Sequence, residues 1–367
     1  MQRLRISYDQ GSSLVKAFYQ INQRVGVMAM EPEILYLPMA SIQAYKEGSV
    51  ALNASFPEND AWLSYKKRAE HCYVLGHLAK QFHGSPKLDQ LKFEQGTAKL
   101  MAIIGAIIQR EGLNSEIEVD VSALLPFGEY ANRQQLIDQF SKEAKSYYFR
   151  GQKINVSTES FLCYPEGGGF VTGIIREKSK EWLAQRRIVV LMCGHRNTSL
   201  LVFEKGMLSD ASQTTDLGFI RLVEGVIKKT ALDNVDALTK AIYNIGPDID
   251  AKNPELRVLV RSYEADNFET EAQQIAKAIT NSRQEYWALI RDWLRSNVPE
   301  EMDEMIIAGG AAYYLKEELD RFLAWAEPSW HTGDIPHDLK DAFSEFPDQD
   351  SLIIRFRDVC ALHLGIY

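Results

Sequence analysis

The chain of 367 residues has little of what marks a secreted scaffold, a membrane protein or a metal enzyme. Its four cysteines, Cys72, Cys163, Cys193 and Cys360, are far apart, and none has metal-ligand or Cys-x-x-Cys spacing. That scatter argues against a disulfide framework and for a reducing, cytoplasmic setting. The longest apolar run, Leu100–Ile108, is nine residues, far short of the ~20 that cross a bilayer as a helix. The start of the sequence shows no basic segment leading into an apolar stretch and a small-residue cleavage site, so no export signal is expected.

Positive charge is the scarcer sign. The 41 Lys and Arg against 50 Asp and Glu leave a formal net charge of −9, which disfavours a surface that coats nucleic acid broadly. No Gly-x-x-x-x-Gly-Lys-Ser/Thr loop, His-Glu-x-x-His pair or Gly-x-Ser-x-Gly elbow occurs. A P-loop ATPase, a metalloprotease and a nucleophile-elbow hydrolase are therefore disfavoured. The seven histidines form no zinc pattern, and no regular repeat or low-complexity tract is present.

What is present is a globular composition, 46% apolar and 25% charged, long enough for two domains. Extended runs are expected at Arg3–Tyr8, Leu14–Ile21, Glu33–Pro38, Trp62–Tyr65, His71–Leu75, Ile117–Pro126 and Ile154–Phe161. Two more, Arg187–Gly194 and Thr198–Gly206, are joined by a compact loop. Helical patterns cover Lys87–Arg110, Asn132–Tyr148, Val171–Ala184, Leu217–Ala231 and Glu269–Ser296, and Met305–Leu323 reads as strand, glycine turn and helix. This recurrence predicts an α/β fold.

Three turns stand out: Gly11–Ser13, Gly194–Thr198 and Gly309–Gly310. Backbone N–H groups in a tight turn can donate to phosphate oxygens without a long side chain. Each turn alone fits an ordinary hairpin equally well. Asp9 likewise fits an Asx-turn, Glu166 a solvated acid, Lys16 a surface or edge-strand lysine, and Gly309–Gly310 a close strand–helix approach.

Their order says more: Asp-x-Gly-Ser-Ser, then Tyr-Pro-Glu-Gly-Gly, then a strand-flanked glycine turn, then Ile-Ile-Ala-Gly-Gly. This series resembles the actin-like ATPase superfamily, in particular the bacterial ParM/StbA filament-forming proteins of plasmid segregation. The resemblance implies duplicated actin-like (ribonuclease H-like) α/β domains with nucleotide in the interdomain cleft. Domain I would take residues 1–164 with a small inserted lobe around 33–85, domain II residues 165–345, and 346–367 would return to domain I.

By the same resemblance, Asp9, Gly11, Ser12, Ser13 and Lys16 match the first phosphate element, Asp9 acting through hydrated magnesium. Glu166 matches the residue that orients the hydrolytic water, and Gly194, His195, Arg196, Asn197 and Thr198 the second phosphate element. Gly309, Gly310 and Ala311 match the contact with the nucleoside. The implied cofactors are ATP and Mg2+, with GTP as the alternative nucleotide. The implied partners are further copies of the chain and a DNA-binding adaptor, with no membrane. The second element departs from the family pattern: Met192 stands where an acid usually leads, His195 replaces a glycine and Ser199 a later aspartate. A thioether is a poor magnesium ligand. A non-hydrolysing nucleotide-responsive protein therefore stays open, and so, independently, do a filament with another cytoskeletal role and a small-molecule kinase of the same fold group.

Overall fold

A computed structural model describes residues 2–48, 56–346 and 348–367. The chain forms two compact units, Met1–Lys180 with Gly333–Tyr367, and Glu181–Thr332. The lobe expected around 33–85 includes 49–55, which lie outside the described residues. Among the described residues no helix is long and apolar enough to cross a membrane.

Among the described residues the first unit holds nine strands: β1 Gln2–Gln10, β2 Val15–Ile21, β3 Arg24–Met30, β4 Ile34–Pro38, β5 Ala61–Ser64, β6 His71–Leu75, β7 Glu116–Leu125, β8 Tyr147–Phe149 and β9 Gln152–Pro165. They form one sheet in the order β3-β2-β1-β7-β9-β8-β5-β6-β4. β1, β7 and β9 run parallel, while β2 and β3 fold back antiparallel. Alternation in β1 and β7 turns Leu4, Ile6, Tyr8, Ile117, Val119 and Val121 into one core. The Lys92–Glu111 helix supplies Ile103, Ile104 and Ile107 to the same core. A second apolar cluster joins Phe18 and Leu124 to Phe343, Phe356 and Val359, the last two on the C-terminal helix Gln349–Ile366.

On that helix His363 meets the Ser7 hydroxyl at 3.1 Å. Burial, with Arg5 adding, pushes its imidazole down to about 3, so the ring is neutral in the folded protein. An unfolded histidine takes its proton near pH 6.5. The unfolded chain therefore binds more protons between those values, and stability falls as pH drops from about 6.5 toward 3. His363→Gln is expected to flatten this part of the acid limb in a Tm-against-pH series.

The second unit contains β10 Arg187–Cys193, β11 Thr198–Glu204, β12 Met207–Leu208, β13 Gln213–Thr215 and β14 Glu304–Ala308. Its order is β12-β11-β10-β14, with β13 also on β11. β10 and β11 form an antiparallel hairpin and β14 lies parallel to β10. That repeats the arrangement β3-β2-β1-β7 of the first unit, so the two units share one topological core.

Several expectations need correction. Asn132–Tyr148 is not one helix: it is helical over Arg133–Glu143, and then β8 pairs with β9 through alternating Tyr147 and Phe149. The first long helix starts at Lys92, not Lys87, and Leu217–Ala231 is helical only over Ile220–Ile227. Val171–Ala184 lies in two helices, Gly168–Lys178 and Lys180–Leu183, broken at Ser179, whose φ is +106°. β3 and the helices Met39–Gly48, Val235–Ile245 and Gln349–Ile366 were not expected. The unit limits at 180/181 and 332/333 differ from 164/165 and 345/346. The Gly168–Lys178 helix packs closely on the C-terminal helix, through Gly169 against Asp358 and Thr172 against Gly365, which keeps it with the first unit.

Candidate functional site

Parallel strands bring their carboxyl ends to one edge of a sheet, where ligands of α/β folds are commonly held. In the first unit Asp9 pairs in register with Leu124, Leu125 pairs with Pro165, and Glu166 N donates to the Leu125 carbonyl at 2.7 Å. Asp9 and Glu166 therefore stand at the same end of the parallel strands β1 and β9, on either side of β7. The β1–β2 hairpin places Lys16 opposite Asp9, and the two side chains form an ion pair. Lys16 Nζ also donates to the Arg355 carbonyl at 3.1 Å. It is neither a surface residue nor an edge guard, since β2 lies between β1 and β3.

Lys92 completes the group. Its Nζ lies 2.5 Å from Glu166 Oε1. Burial pulls this ammonium down, but the charges of Glu166 and Asp9 outweigh it and hold Lys92 above the ordinary lysine range. Asp9 Oδ1 is buried without a hydrogen-bond partner, and so are both polar atoms of the Gln10 amide. Such orphaned groups are rare in folded proteins and mark places where water, an ion or a ligand is expected. Ser12 is half-buried, whereas Ser13 is exposed and accepts from the Arg355 guanidinium at 2.9 Å.

An orphaned carboxylate oxygen suits a hard cation. Among the described residues no three acidic, histidine or cysteine side chains are grouped to hold a metal. Asp9 would be the residue to hold magnesium here, an ion that usually keeps several of its waters.

In the second unit the Gly194–Asn197 turn joins β10 to β11. Gly194 N donates within the turn to Asn197 O, while the Gly194 and His195 carbonyls accept from Phe219 N and Ile220 N. The turn is thus stapled to the start of the Ile220–Ile227 helix. Thr198 departs from its expected role: it is fully buried and gives its hydroxyl to the Leu217 carbonyl at 2.7 Å, under the turn. Met192 lies in β10 opposite Ser199 and beside Ala308, and the Ser199 hydroxyl is bonded to Thr214.

Gly309 follows β14 with a φ of +95°, and a Cβ there would overlap the Cys193 carbonyl oxygen. This close approach sets the Gly309 turn against the end of β10. Gly310–Tyr314 is a short helix that buries Ala311. Next to it Phe219 and Tyr314 stack edge to face at 5.0 Å, with Tyr243 alongside. Arg283 lies over the Tyr314 ring at 5.3 Å and is paired with Glu318.

The first unit therefore gathers Asp9, Gly11, Ser12, Ser13, Lys16 and Glu166. The second gathers Gly194, His195, Arg196 and Asn197, with Gly309, Gly310 and Ala311 beside the same strand end. Sequence reasoning missed Gln10, Lys92, Arg355 and Asp358. Two signals were there to use. Lys92 puts a cation in the first turn of a helix, against the macrodipole. Asp358 interrupts the apolar run Leu352–Leu364 of the C-terminal helix.

No family model matches the chain, and no curated protein matches it in sequence. Solved structures match it over nearly its whole length. The archaeal actin homolog Ta0583 is 11% identical, with a TM-score of 0.61 over 100% of this chain and 98% of its own. Bacillus thuringiensis ParM, solved with ATP, is 13% identical with a TM-score of 0.57, covering 99% and 98%. The Alp12 filament structure is 12% identical with a TM-score of 0.55, covering 99% and 98%. The chain has the actin-like fold.

Proposed function

We propose that this chain is a nucleotide-dependent, filament-forming actin-like protein that hydrolyses ATP and acts in plasmid DNA segregation. One observation carries the reading: two carboxylates, Asp9 and Glu166, stand at the same end of parallel strands that flank β7, together with two ammonium groups, Lys16 and Lys92. They do so in a fold shared with a ParM solved with ATP and with the Alp12 filament.

In this reading the hairpin turn Gly11–Ser13 and the turn residues that follow Gly194 donate backbone N–H groups to phosphate. Gly309 and Gly310 leave room for the nucleoside beside the Tyr243 and Tyr314 rings. Glu166 orients the attacking water and accepts its proton as the new phosphorus–oxygen bond forms and the bond to the leaving diphosphate oxygen breaks. Lys92 and Lys16 offset charge on the phosphate oxygens. Magnesium held through water at Asp9 would add positive charge at the same phosphates. With a net charge of −9, DNA is reached through an adaptor instead of by broad contact. Nucleotide and self-association are coupled because each favours the same conformation.

Time-resolved light scattering combined with phosphate release, on purified protein with magnesium and ATP, tests this. Nucleotide-triggered scattering, followed by release and decay, is the expected result; silence of both signals across protein concentrations overturns it. A second reading, assembly on nucleotide without turnover, is favoured by Met192 and Ser199 standing where acids are usual; scattering without phosphate release would establish it. Met192→Asp is expected to widen the difference in ATP affinity between magnesium and chelator, read by calorimetric titration.

A further inference from the structure

The C-terminal helix meets the Glu166 turn through a single buried carboxylate. Asp358 accepts from Gly167 N at 2.6 Å on Oδ2 and from Gly169 N at 2.9 Å on Oδ1. The two donors stand one and three residues after Glu166 in sequence. The fit is close enough that a Cβ at Gly169 would overlap the Asp358 carbonyl oxygen. On the other side, Glu166 N is tied to the Leu125 carbonyl. The backbone that carries Glu166 is thus anchored to β7 before the side chain and to the C-terminal helix after it. Arg355, one turn earlier on that helix, contacts Lys16 and Ser13 of the β1–β2 hairpin.

We propose that Asp358 is a positioning residue for Glu166, clamping its turn when ionised and releasing it when protonated. An ionised carboxylate accepts both N–H groups, one on each oxygen. A protonated one carries its proton on one of those two oxygens and accepts far more weakly there, without the charge that strengthens both bonds.

Burial pushes Asp358 up to about 7; the Gly167 hydrogen bond and Lys16 oppose this, and Asp9 and Glu166 reinforce it. Asp9 faces it from β1, Lys16 from β2 and Glu166 from the turn. On its own helix Arg357 is paired with Asp334 and His363 is bonded to Ser7. Arg176, on the Gly168–Lys178 helix, acts on Cys360.

The catalytic consequence rests on the hydrolytic reading given above, whereas the clamp does not. Hydrogen exchange on the full chain, followed by mass spectrometry over residues 164–172 from pH 5.5 to 8.5, tests the clamp directly. After correction for intrinsic exchange, the Gly167 and Gly169 amides of the unmodified chain should be about tenfold or more better protected above pH 7 than below pH 6, the effect of losing a hydrogen bond to a charged group. In Asp358→Asn the protection should be low at every pH. Protection that does not change with pH overturns the proposal, and the unmodified chain alone decides this even where the variant does not fold.

Phosphate release supplies the second readout. Asp358→Asn should lower kcat about tenfold or more, keep ATP affinity within a few fold, and erase the acid limb near pH 7. An unaltered pH profile overturns the positioning role. Absence of release from the unmodified chain overturns the hydrolytic reading instead, and exchange then judges Asp358 on its own.

Discussion

Glu166→Gln is expected to slow phosphate release by about 10²–10⁴-fold while nucleotide affinity stays within a few fold. Glutamine keeps the length of the side chain and an oxygen for Lys92, whose Nζ lies 2.5 Å from Glu166 Oε1. It removes the charge and the basic site that the water needs. Glu166→Ala is a harsher change, because it strips the partner from a buried ammonium, and breaking such a pair costs about 3–5 kcal/mol. Any loss of stability in the alanine variant would therefore be mixed with the catalytic loss, and the glutamine variant separates the two. Single-turnover release and calorimetric ATP binding measure both quantities. Since hydrolysis is proposed to drive disassembly, assembled material from either variant should also persist longer under light scattering. Unchanged release kinetics in Glu166→Gln would remove Glu166 from the chemistry.

The second large effect is structural. Gly309→Ala should destabilise the second unit by about 3 kcal/mol or more, combining the cost of a non-glycine residue at positive φ with a backbone collision. The φ of +95° and the overlap with the Cys193 carbonyl act together, and backbone on both sides leaves no flexible group to yield. Gly310→Ala is the matched control. Its new Cβ would meet Tyr243 at 3.9 Å, an ordinary contact, and alanine favours the helix that starts there, so a change within about 0.5 kcal/mol is expected. Urea unfolding of the two variants side by side measures the difference. Equal midpoints would show that the Gly309 turn relaxes freely, and with it the close approach of β14 to the end of β10.

Much of the fold could be read from local pattern. The β1–β2 hairpin, β7 and the β10–β11 hairpin are short, mostly apolar runs bounded by turns, and they are buried along most of their length. The helices that were misjudged are those in which tertiary pairing overrode propensity. Tyr147 and Tyr148 end a helical pattern on paper, but β9 and β5 recruit them as strand partners. The C-terminal helix was missed because Arg355, Arg357 and Asp358 interrupt its apolar face, and each is explained only by a partner distant in sequence: Ser13, Asp334 and Gly167. The candidate site divides the same way. Asp9, Gly11, Lys16 and Glu166 belong to contiguous motifs and were legible, whereas Lys92 lies 74 residues from Glu166 and becomes its partner only through the sheet. Thr198 read as a turn residue, yet strand pairing drew it inward.

The first unit is interrupted in the chain by the whole of the second, which spans residues 181–332. On a ribosome those 152 residues emerge before the C-terminal helix does, roughly 8–30 s at about 5–20 residues per second. Until then Phe18, Val27 and Leu124 have no Phe356 or Val359 to cover them. The nascent chain thus carries a bare apolar face through most of its synthesis, while the later-made unit is free to finish first. Yield should accordingly depend on chaperone shielding during translation more than on the stability of the completed protein.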